Sequence, residues 1–584
     1  MSTLSPATPT ASDMLKELLK QAHAGQPLWL PDVREAFAGS EDGTQLVLRL
    51  KSFDGKTRDF EHRLPRWQDD AERTLVRDYL CATIYNTMAV CGGCKMDFFV
   101  DLNEEESIAL LREVEHGFQI TASERRGLGK VVNIANRMGK AFGERRFSFT
   151  ICDIADYSIE SEKDDGRLPL ADTLRGLRRE AERANCVGVD VGGTDIKLAA
   201  SKYGRLVAVK EYDWNPAAYS TVAQIIEPIL LLTRLMRACI AADGADEALV
   251  RALRKDATDA EMAETVAAAE ARFDANVLDA VGVSFPDIVL RDRIVGGETP
   301  KTDGVRRNPD VDYEAEFARL GALKDRLLPL CRGEGRCHIA NDGNIAAFTA
   351  AMELACGGAS DAVARGVVAH SLGTDLGTGW LNASGEVPQL PLELYDAWVD
   401  LGSLSAAALS PEDLRSTRSE NSGLPGARRY LGQAAAYRLA YALDPRLLDG
   451  FTEETDGVLR IRTQPEDLRK PCLEHLMQKA SEGEGSAGEI FRQIGRHLAI
   501  VSREMEYLLQ PETDTRFLYG RFVKAERCFA LLREGCAETA PHIRLENGGE
   551  DLANTPLMRR LAEREDVTVA QFAQAVGSIY FALT

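Results

Sequence analysis

The stretch Asp190-Val-Gly-Gly-Thr-Asp-Ile-Lys197 decides the fold of this chain. It follows an apolar run that starts at Cys186, so an acidic residue stands at the end of a predicted strand, just ahead of two glycines. Glycine lets the backbone approach phosphate oxygens closely, and the Thr194 hydroxyl adds a hydrogen-bond donor. The apolar alternation continues after the turn and predicts a second strand, whereas P-loops and dinucleotide-binding turns run into a helix. The alternative interpretation is a tight hairpin with an exposed acid.

A second turn of the same design lies about 180 residues further on, in Val367-Val-Ala-His-Ser-Leu-Gly-Thr-Asp-Leu-Gly-Thr-Gly379. Here too an apolar strand runs into glycine and threonine, and the stretch from Trp380 to Ala383 continues as a strand. Two such loops that face each other can clamp one polyphosphate. Their order and separation predict two related lobes around a nucleotide cleft.

Between the two turns, Cys337-His-Ile-Ala-Asn-Asp-Gly-Asn344 predicts a strand that delivers Asn341 and Asp342 to the start of a helix. The helix dipole favours an ionised carboxylate, so Asp342 could accept the proton of a substrate hydroxyl. Asn341 could hold a neighbouring hydroxyl. The alternative is that Asp342 only caps the helix.

Composition excludes several classes of function. The net charge is -21, from 70 basic and 91 acidic residues, and such an acidic surface disfavours nucleic acid as a partner. The longest apolar stretch, from Ile225 to Met236, is interrupted by charges and is too short to cross a membrane. The amino terminus has neither a basic leader nor an apolar core. We therefore expect a cytoplasmic protein without a membrane partner.

From Cys186 to its end the chain resembles the sugar-kinase branch of the actin and hexokinase superfamily. The resemblance is to the family of bacterial glucokinases, open-reading-frame proteins and repressors known as ROK, and it covers about 400 residues. Besides the segments above, it rests on Gly282-Val-Ser-Phe-Pro286 and on the predicted helix from Gly495 to Leu509 ahead of Phe517-Leu-Tyr-Gly520. It implies an α/β chain with a duplicated actin-like (ribonuclease H-like) fold and two lobes around a nucleotide cleft. Strand-like runs and helical periodicity ahead of Cys186 predict an additional α+β N-terminal domain.

The change of pattern near residue 180 and the resemblance together predict a division of the chain. We predict an accessory N-terminal domain of unknown role at 1–180, a first lobe at 181–340 and a second lobe at 341–584. A helical insertion is expected at about 221–272, and the C-terminal helix could return to the first lobe. The charged segment 161–166 marks the first boundary.

The implied activity is ATP-dependent phosphorylation of a hydroxyl group of a sugar or sugar-like molecule, with Asp342 as the general base. ATP and Mg²⁺ are the implied cofactors, and Asp190 would act on the metal through a water molecule. The residues implied to bind phosphates or adenosine are Asp190, Gly192, Gly193, Thr194, Lys197, Gly373, Thr374, Asp375, Gly377, Thr378, Gly379 and Gly520. Those implied to bind the substrate are Asn341, Pro286 and Glu393.

The chain departs from the family pattern in several places. The usual Glu-Ile-Gly-His segment and the cysteine-rich zinc-binding run after it are missing, so we predict no structural zinc. Glu393 could stand for the sugar-binding glutamate, or it is a solvated loop carboxylate. Asp375 replaces a glycine and could join the magnesium shell or repel the γ-phosphate. The basic loop from Pro300 to Arg307 could hold an anionic substrate, or it is solvated surface.

Two alternatives to a kinase remain open. One is a non-catalytic nucleotide or sugar sensor, which the altered loops allow. The other is an ATPase that energises an iron-sulfur enzyme, for which Cys91-Gly-Gly-Cys94 is the only hint, because two cysteines make half a metal site and buried thiols are the simpler interpretation. Oligomeric state is open as well, although members of the family often form dimers.

Overall fold

The structure, a computed structural model, describes residues 11–53, 55–159, 169–296, 300–402, 409–548 and 552–584. The charged segment 161–166, predicted as a boundary, lies outside the described residues. Three sections follow one another along the chain, and each has its own β-sheet.

The N-terminal section, residues 11–159, is a four-stranded sheet with five helices. In the first strand, Thr44–Lys51, alternate side chains from Leu46 to Leu50 point into the core, as the period of a strand requires. The strand order is β2-β1-β3-β4, with β1 antiparallel to β2 and β3, and β3 parallel to β4. The elements are α1 (Ala11–His23), α2 (Leu30–Ala38), β1 (Thr44–Lys51), β2 (Thr57–Leu64), α3 (Asp70–Cys91), β3 (Lys95–Val100), α4 (Glu105–Ile120), α5 (Gly129–Ala141) and β4 (Ser148–Asp153).

The first lobe begins after helix α6 (Leu170–Ala181) and contains a five-stranded sheet. Three antiparallel strands form a meander, and two further strands extend it in parallel on the side of β5. The resulting order, β11-β8-β5-β6-β7, is that of a ribonuclease H-like sheet. The strands are β5 (Asn185–Val191), β6 (Asp195–Lys202), β7 (Arg205–Asp213), β8 (Ala280–Phe285), a short hairpin of β9 (Val289–Leu290) and β10 (Arg293–Ile294), and β11 (Arg336–Asn341).

The second lobe repeats this design with one strand fewer. Its order is β13-β12-β16-β17, with β12 antiparallel to β13 and parallel to β16, and β16 parallel to β17. Each lobe therefore opens with a glycine-turned hairpin and continues with parallel strands on the same side. The strands are β12 (Val367–Leu372), β13 (Leu376–Leu381), a separate hairpin of β14 (Thr452–Thr455) and β15 (Val458–Ile461), β16 (Thr515–Gly520) and β17 (Arg544–Asn547).

Helices cover these sheets. The C-terminal helix lies against β5, β6 and β8 of the first lobe, and Gly188 and Gly282 make this approach possible. A Cβ atom at either glycine would come within 1.8 or 1.9 Å of a helix carbonyl oxygen. The helices of the two lobes are α7 (Ala223–Ala241), α8 (Glu247–Ala252), α9 (Asp259–Glu270), α10 (Asp303–Arg307), α11 (Tyr313–Gly321), α12 (Leu323–Leu327), α13 (Asp342–Cys356), α14 (Ser360–Val363), α15 (Gly432–Leu443), α16 (Arg469–Ser481), α17 (Gly485–Leu509), α18 (Glu526–Thr539), α19 (Pro556–Ala562) and α20 (Val569–Phe581).

Helix α7, which contains the longest apolar stretch of the sequence, packs against the first sheet. Its apolar side chains are accounted for by burial on β5, β6 and β7. Among the helices of the described ranges, none combines the length and the apolar composition that a membrane crossing requires.

The N-terminal section shares one apolar core with the second lobe. Polar contacts cross the same boundary: the Tyr85 hydroxyl donates to Asp396 at 2.6 Å, and the Asn86 amide donates to Glu504 at 2.9 Å. A smaller apolar cluster joins Phe53 and Met138 of this section to the β9–β10 hairpin of the first lobe. The N-terminal section therefore touches both lobes.

Candidate active site

A cavity of about 640 Å³ lies where the two lobes meet. The N-terminal section contributes Lys130 and Ile134 of α5 to its wall, and both lobes supply the rest. The structure thus brings together side chains that are up to several hundred positions apart. Of the residues predicted from the sequence, the cavity is lined by Pro286, Asn341, Asp342, Gly373, Thr374, Asp375, Gly377, Thr378 and Glu393.

The first glycine turn connects β5 to β6, and its predicted phosphate-binding residues are not among those that line the cavity: Asp190, Gly192, Gly193, Thr194 and Lys197. A Cβ atom at Gly193 would lie 3.8 Å from the Cε atom of Lys301, and Lys301 lines the cavity. The Gly192 amide donates to the Asp195 carbonyl at 2.8 Å, and this bond closes the turn. Lys197 forms an ion pair with Asp195. The turn continues into a strand, as the alternation predicts. The alternative of a hairpin with an exposed acid does not account for Asp190, because this carboxylate is desolvated.

Two carboxylates interact electrostatically at this place: Asp342, which lines the cavity, and Asp190, which does not. Desolvation raises the pKa of Asp190 to about 6, and the charge of Asp342 adds to this effect, whereas the Ser284 hydroxyl and Lys197 oppose it. Burial also raises the pKa of Asp342, although Lys301 and the Gly343 amide favour its ionised form. Like charges in a desolvated site repel each other, and a divalent cation offsets that repulsion. The donor set therefore fits Mg²⁺.

Asn341 and Asp342 occupy the junction between β11 and α13. The Asn341 side chain is the helix cap: its oxygen accepts from the Gly343 amide at 2.9 Å, and its nitrogen donates to the Asp287 carbonyl at 2.9 Å. The interpretation that Asp342 merely caps the helix is therefore wrong. Asp342 is the first helical residue, its Oδ1 atom accepts from the Gly343 amide at 2.8 Å, and it lines the cavity.

The second glycine turn carries Asp375, whose partner could not be identified from the sequence. Arg428 binds this carboxylate with two atoms, Nε to Oδ1 at 2.8 Å and Nη2 to Oδ2 at 3.0 Å. A Cβ atom at Gly373 would meet no heavy atom within 4 Å apart from its chain neighbours, so one side of the turn is open. Gly520 ends β16 beside Leu372, at the base of the same turn, with a positive φ of 93°. The turn thus presents a neutralised ion pair to the cavity, not an isolated negative charge.

Glu393 faces the cavity from the loop after β13. Burial raises the pKa of Glu393 to about 8, and the nearby charges of Asp287 and Asp396 act in the same direction, which disfavours a fully solvated loop carboxylate. The Tyr395 side chain and the ammonium of Lys130 oppose this shift. Lys130 itself is only 4% exposed and donates to Asp396 at 2.7 Å.

The raised pKa of Glu393 predicts a pH-dependent effect on stability. Between about pH 4.5 and pH 8 the folded chain keeps the proton of this carboxyl and the unfolded chain does not, so the free energy of unfolding falls as the pH rises. We expect Glu393→Gln to match the wild type near pH 4.5 and to exceed it at pH 8 by a few kcal/mol, on the order of 2. Denaturation at both pH values measures the difference. The exposed Glu334→Gln is the control, and an equal effect at both pH values would contradict the prediction.

The basic loop that the sequence marks as a possible anion site reaches the cavity with one residue. Lys301 alone of the loop's three cations lines the cavity, whereas Arg306 and Arg307 pair with Asp303. Other polar residues of the wall were missed by sequence reasoning, because they come from distant elements without a motif. Among them are Lys130, Asp287, Tyr395, Arg428 and Gln574.

Cys91 and Cys94 lie at the end of α3 and just ahead of β3, and their sulfur atoms point to different partners. The Cys91 thiol donates to the Leu508 carbonyl and the Cys94 thiol to the Lys51 carbonyl, each at 3.6 Å. In the part of the chain that the structure describes, no three His, Cys, Asp or Glu side chains gather as a metal site.

Neither a protein-family model nor a curated protein matches the chain. Solved structures that match include a ROK family glucokinase from Streptomyces griseus in complex with glucose and AMPPNP, with 17% identity, a TM-score of 0.37, and coverage of 68% of this chain and 99% of that chain. A ROK hexokinase from Thermus thermophilus has 15% identity and a TM-score of 0.38, covering 68% of this chain and 98% of its own. A putative N-acetylmannosamine kinase from Listeria monocytogenes has 14% identity, a TM-score of 0.37 and the same coverages.

The first two of these structures are named as ROK proteins, and ROK is the family that the sequence resembles. At such identities and TM-scores the matches themselves decide nothing about activity. The strand orders and parallel pairings of the two sheets decide the fold independently. They confirm that the chain has the duplicated actin-like fold predicted from its sequence.

Proposed function

We propose that the chain is an ATP-dependent phosphotransferase that phosphorylates a hydroxyl group of a sugar or a sugar-like molecule. One observation carries the proposal: the carboxylate of Asp342 lies at the start of a helix inside a cavity that the second glycine turn also lines. The charge of Asp342 also acts on Asp190, which directly precedes the first turn. A base with two glycine turns near it that can bind phosphates is the arrangement that hydroxyl phosphorylation requires.

In this mechanism Asp342 accepts the proton of the substrate hydroxyl while the hydroxyl oxygen attacks the γ-phosphorus of ATP. The amides of Gly193 and Gly373 and the hydroxyls of Thr194 and Thr374 bind the phosphates. Asp190 would hold Mg²⁺ through water, and the metal supplies neutralisation of phosphate charge. Most of the rate acceleration comes from alignment and charge stabilisation, because phosphoryl transfer needs little covalent chemistry from the protein.

The ion pair between Asp375 and Arg428 favours a working kinase over a sensor. An isolated carboxylate in the second turn would repel the γ-phosphate, but the bidentate guanidinium offsets its charge. Arg428 also lines the cavity, so it is placed to share its remaining donor capacity with a phosphate oxygen. The sensor remains the second hypothesis, since it uses the same turns without transfer.

An ATP-consumption screen with Mg²⁺ tests the proposal. ADP formation is measured with neutral sugars, amino sugars and polyols, each against the rate without acceptor. At least one class should raise the rate by about tenfold or more, and EDTA should abolish the increase. ATP binding with no stimulated turnover across the panel would contradict a kinase and support the sensor. Iron content after anaerobic purification tests the third hypothesis.

The pKa shifts of the two carboxylates predict where activity is lost in acid. The base must be ionised, and burial raises the pKa values of Asp342 and Asp190, the latter to about 6. As the pH falls, these carboxylates take up protons sooner than ordinary carboxylates do, so kcat/KM should fall with a midpoint above the ordinary value of about 4. A profile of kcat/KM from pH 4.5 to 8 measures it. Constant kcat/KM down to pH 4.5 would contradict the prediction.

A further inference from the structure

Lys301 lies between the first glycine turn and the candidate base. Its Cε atom would be 3.8 Å from a Cβ atom at Gly193, and its side chain lines the cavity that Asp342 also lines. Its ammonium group interacts electrostatically with Asp342 and Asp287. A group transferred from a nucleotide bound at the first turn to a hydroxyl held at Asp342 must pass beside this lysine.

The backbone around Lys301 is fixed by its neighbours. Thr302 is fully buried, and its hydroxyl is 2.9 Å from the Tyr313 hydroxyl. Val305 is fully buried in the core of the first lobe, and a Cβ atom at Gly304 would come within 2.3 Å of the Tyr219 carbonyl oxygen. These contacts fix the backbone next to Lys301, whose side chain lines the cavity.

We infer that Lys301 is a catalytic residue that contacts the phosphoryl group during its transfer and stabilises the negative charge on its oxygens. The inference rests on the proposed function. In the step, a bond forms between the acceptor oxygen and the γ-phosphorus, and the bond from that phosphorus to the β,γ-bridging oxygen breaks. The hydroxyl proton passes to Asp342, ADP leaves, and Lys301 keeps its three protons throughout.

A structural role for Lys301, as the partner of Asp342 and Asp287 alone, is the competing explanation. Burial lowers the pKa of Lys301, while the two carboxylates oppose the shift, so the protein partly compensates a desolvated ammonium. The negatively charged oxygens of a triphosphate bound at the first turn would further stabilise the ammonium of Lys301. A cation aimed at developing charge in a desolvated site contributes more to the transition state than to the ground state.

The test uses the full-length chain and MgADP with and without aluminium fluoride, which imitates the transferring phosphoryl group. In the wild type, aluminium fluoride should tighten MgADP binding, measured by titration calorimetry. Lys301→Met should bind MgADP with an affinity within about threefold of that of the wild type. The increase in affinity caused by aluminium fluoride should be about 10- to 100-fold smaller in this variant. Lys301→Arg should restore part of it. Arg307→Met, a change on the same loop at a side chain that is 78% exposed, is the matched control.

A pH series separates the catalytic role from the structural one. The tightening in the wild type should fade at high pH as Lys301 loses its proton, whereas in Lys301→Arg it should persist, because guanidinium stays charged. Melting temperatures check that each variant is folded. Undiminished tightening in a folded Lys301→Met would overturn the inference and leave the proposed function intact. Failure of the wild type to bind MgADP would overturn the proposed function itself.

Discussion

Replacing Asp342 with asparagine is expected to lower the turnover number by about 10²- to 10⁴-fold and to leave MgATP affinity within about threefold. Asparagine keeps the shape of the side chain but cannot accept the hydroxyl proton. The helix keeps its cap, because the capping oxygen belongs to Asn341. Asp190, the carboxylate that would hold Mg²⁺ in the proposed mechanism, is unchanged, so binding of the metal nucleotide should change little. Initial rates with an acceptor from the screen, and a nucleotide titration, measure the two quantities.

The control for this prediction is Asp361→Asn. Asp361 is also an acidic residue in the first turn of a helix, α14, but it is exposed. It should change neither turnover nor affinity. If Asp342→Asn kept a tenth or more of the wild-type turnover, another group would have to accept the proton of the substrate hydroxyl, and the assignment of the base would be wrong.

The fold could be predicted from the sequence because its decisive features are local. A glycine turn between two apolar strands has a pattern of a few residues, and Asp190 and Gly373 could be placed from such windows alone. The strand-to-helix junction at Asn341 and Asp342 is equally local. Such features depend on neighbouring residues, so a single chain without relatives is sufficient to find them.

The charge balance of the site could not be predicted, because it arises only when distant segments meet. Asp375 has no cation within its own turn, and its partner Arg428 lies 53 positions away without a motif to mark it. The gapped family match left Glu393 open to interpretation as a solvated loop carboxylate, yet the N-terminal section contributes Lys130 and Ile134 to the cavity that Glu393 lines. Burial and ion pairing are tertiary properties, and local pattern carries little information about them.

The role of the N-terminal section could not be predicted from the sequence for the same reason. Its helices have ordinary apolar periodicity, and periodicity does not specify which surface covers the apolar face. In the structure α5 provides part of the cavity wall, and Arg137 of that helix donates to the Gly296 carbonyl at 3.1 Å. A section without any recognisable motif thus contributes directly to the candidate site.

Gly379 should be the most sensitive position for stability at this site. A Cβ atom there would lie 1.7 Å from the Gly343 carbonyl oxygen and 2.7 Å from the Asn344 nitrogen. Both are backbone atoms at the start of α13, so no rotamer change can make room. The Trp380 amide is also bonded to the Asn344 side chain at 3.0 Å, which ties β13 to this helix. Gly379→Ala is expected to cost about 3 kcal/mol or more, measured by chemical denaturation.

Gly373→Ala is the matched change in the same turn, since a Cβ atom at that position would meet no heavy atom within 4 Å apart from its chain neighbours. It should keep stability within about 0.5 kcal/mol of the wild type. If the turn binds phosphate, the added methyl group should weaken MgATP binding by about tenfold, because it stands where the backbone must approach the phosphate oxygens. Full stability in Gly379→Ala would show that β13 and α13 can separate without cost. In that case the close approach would not be what holds Asp342 against the second turn.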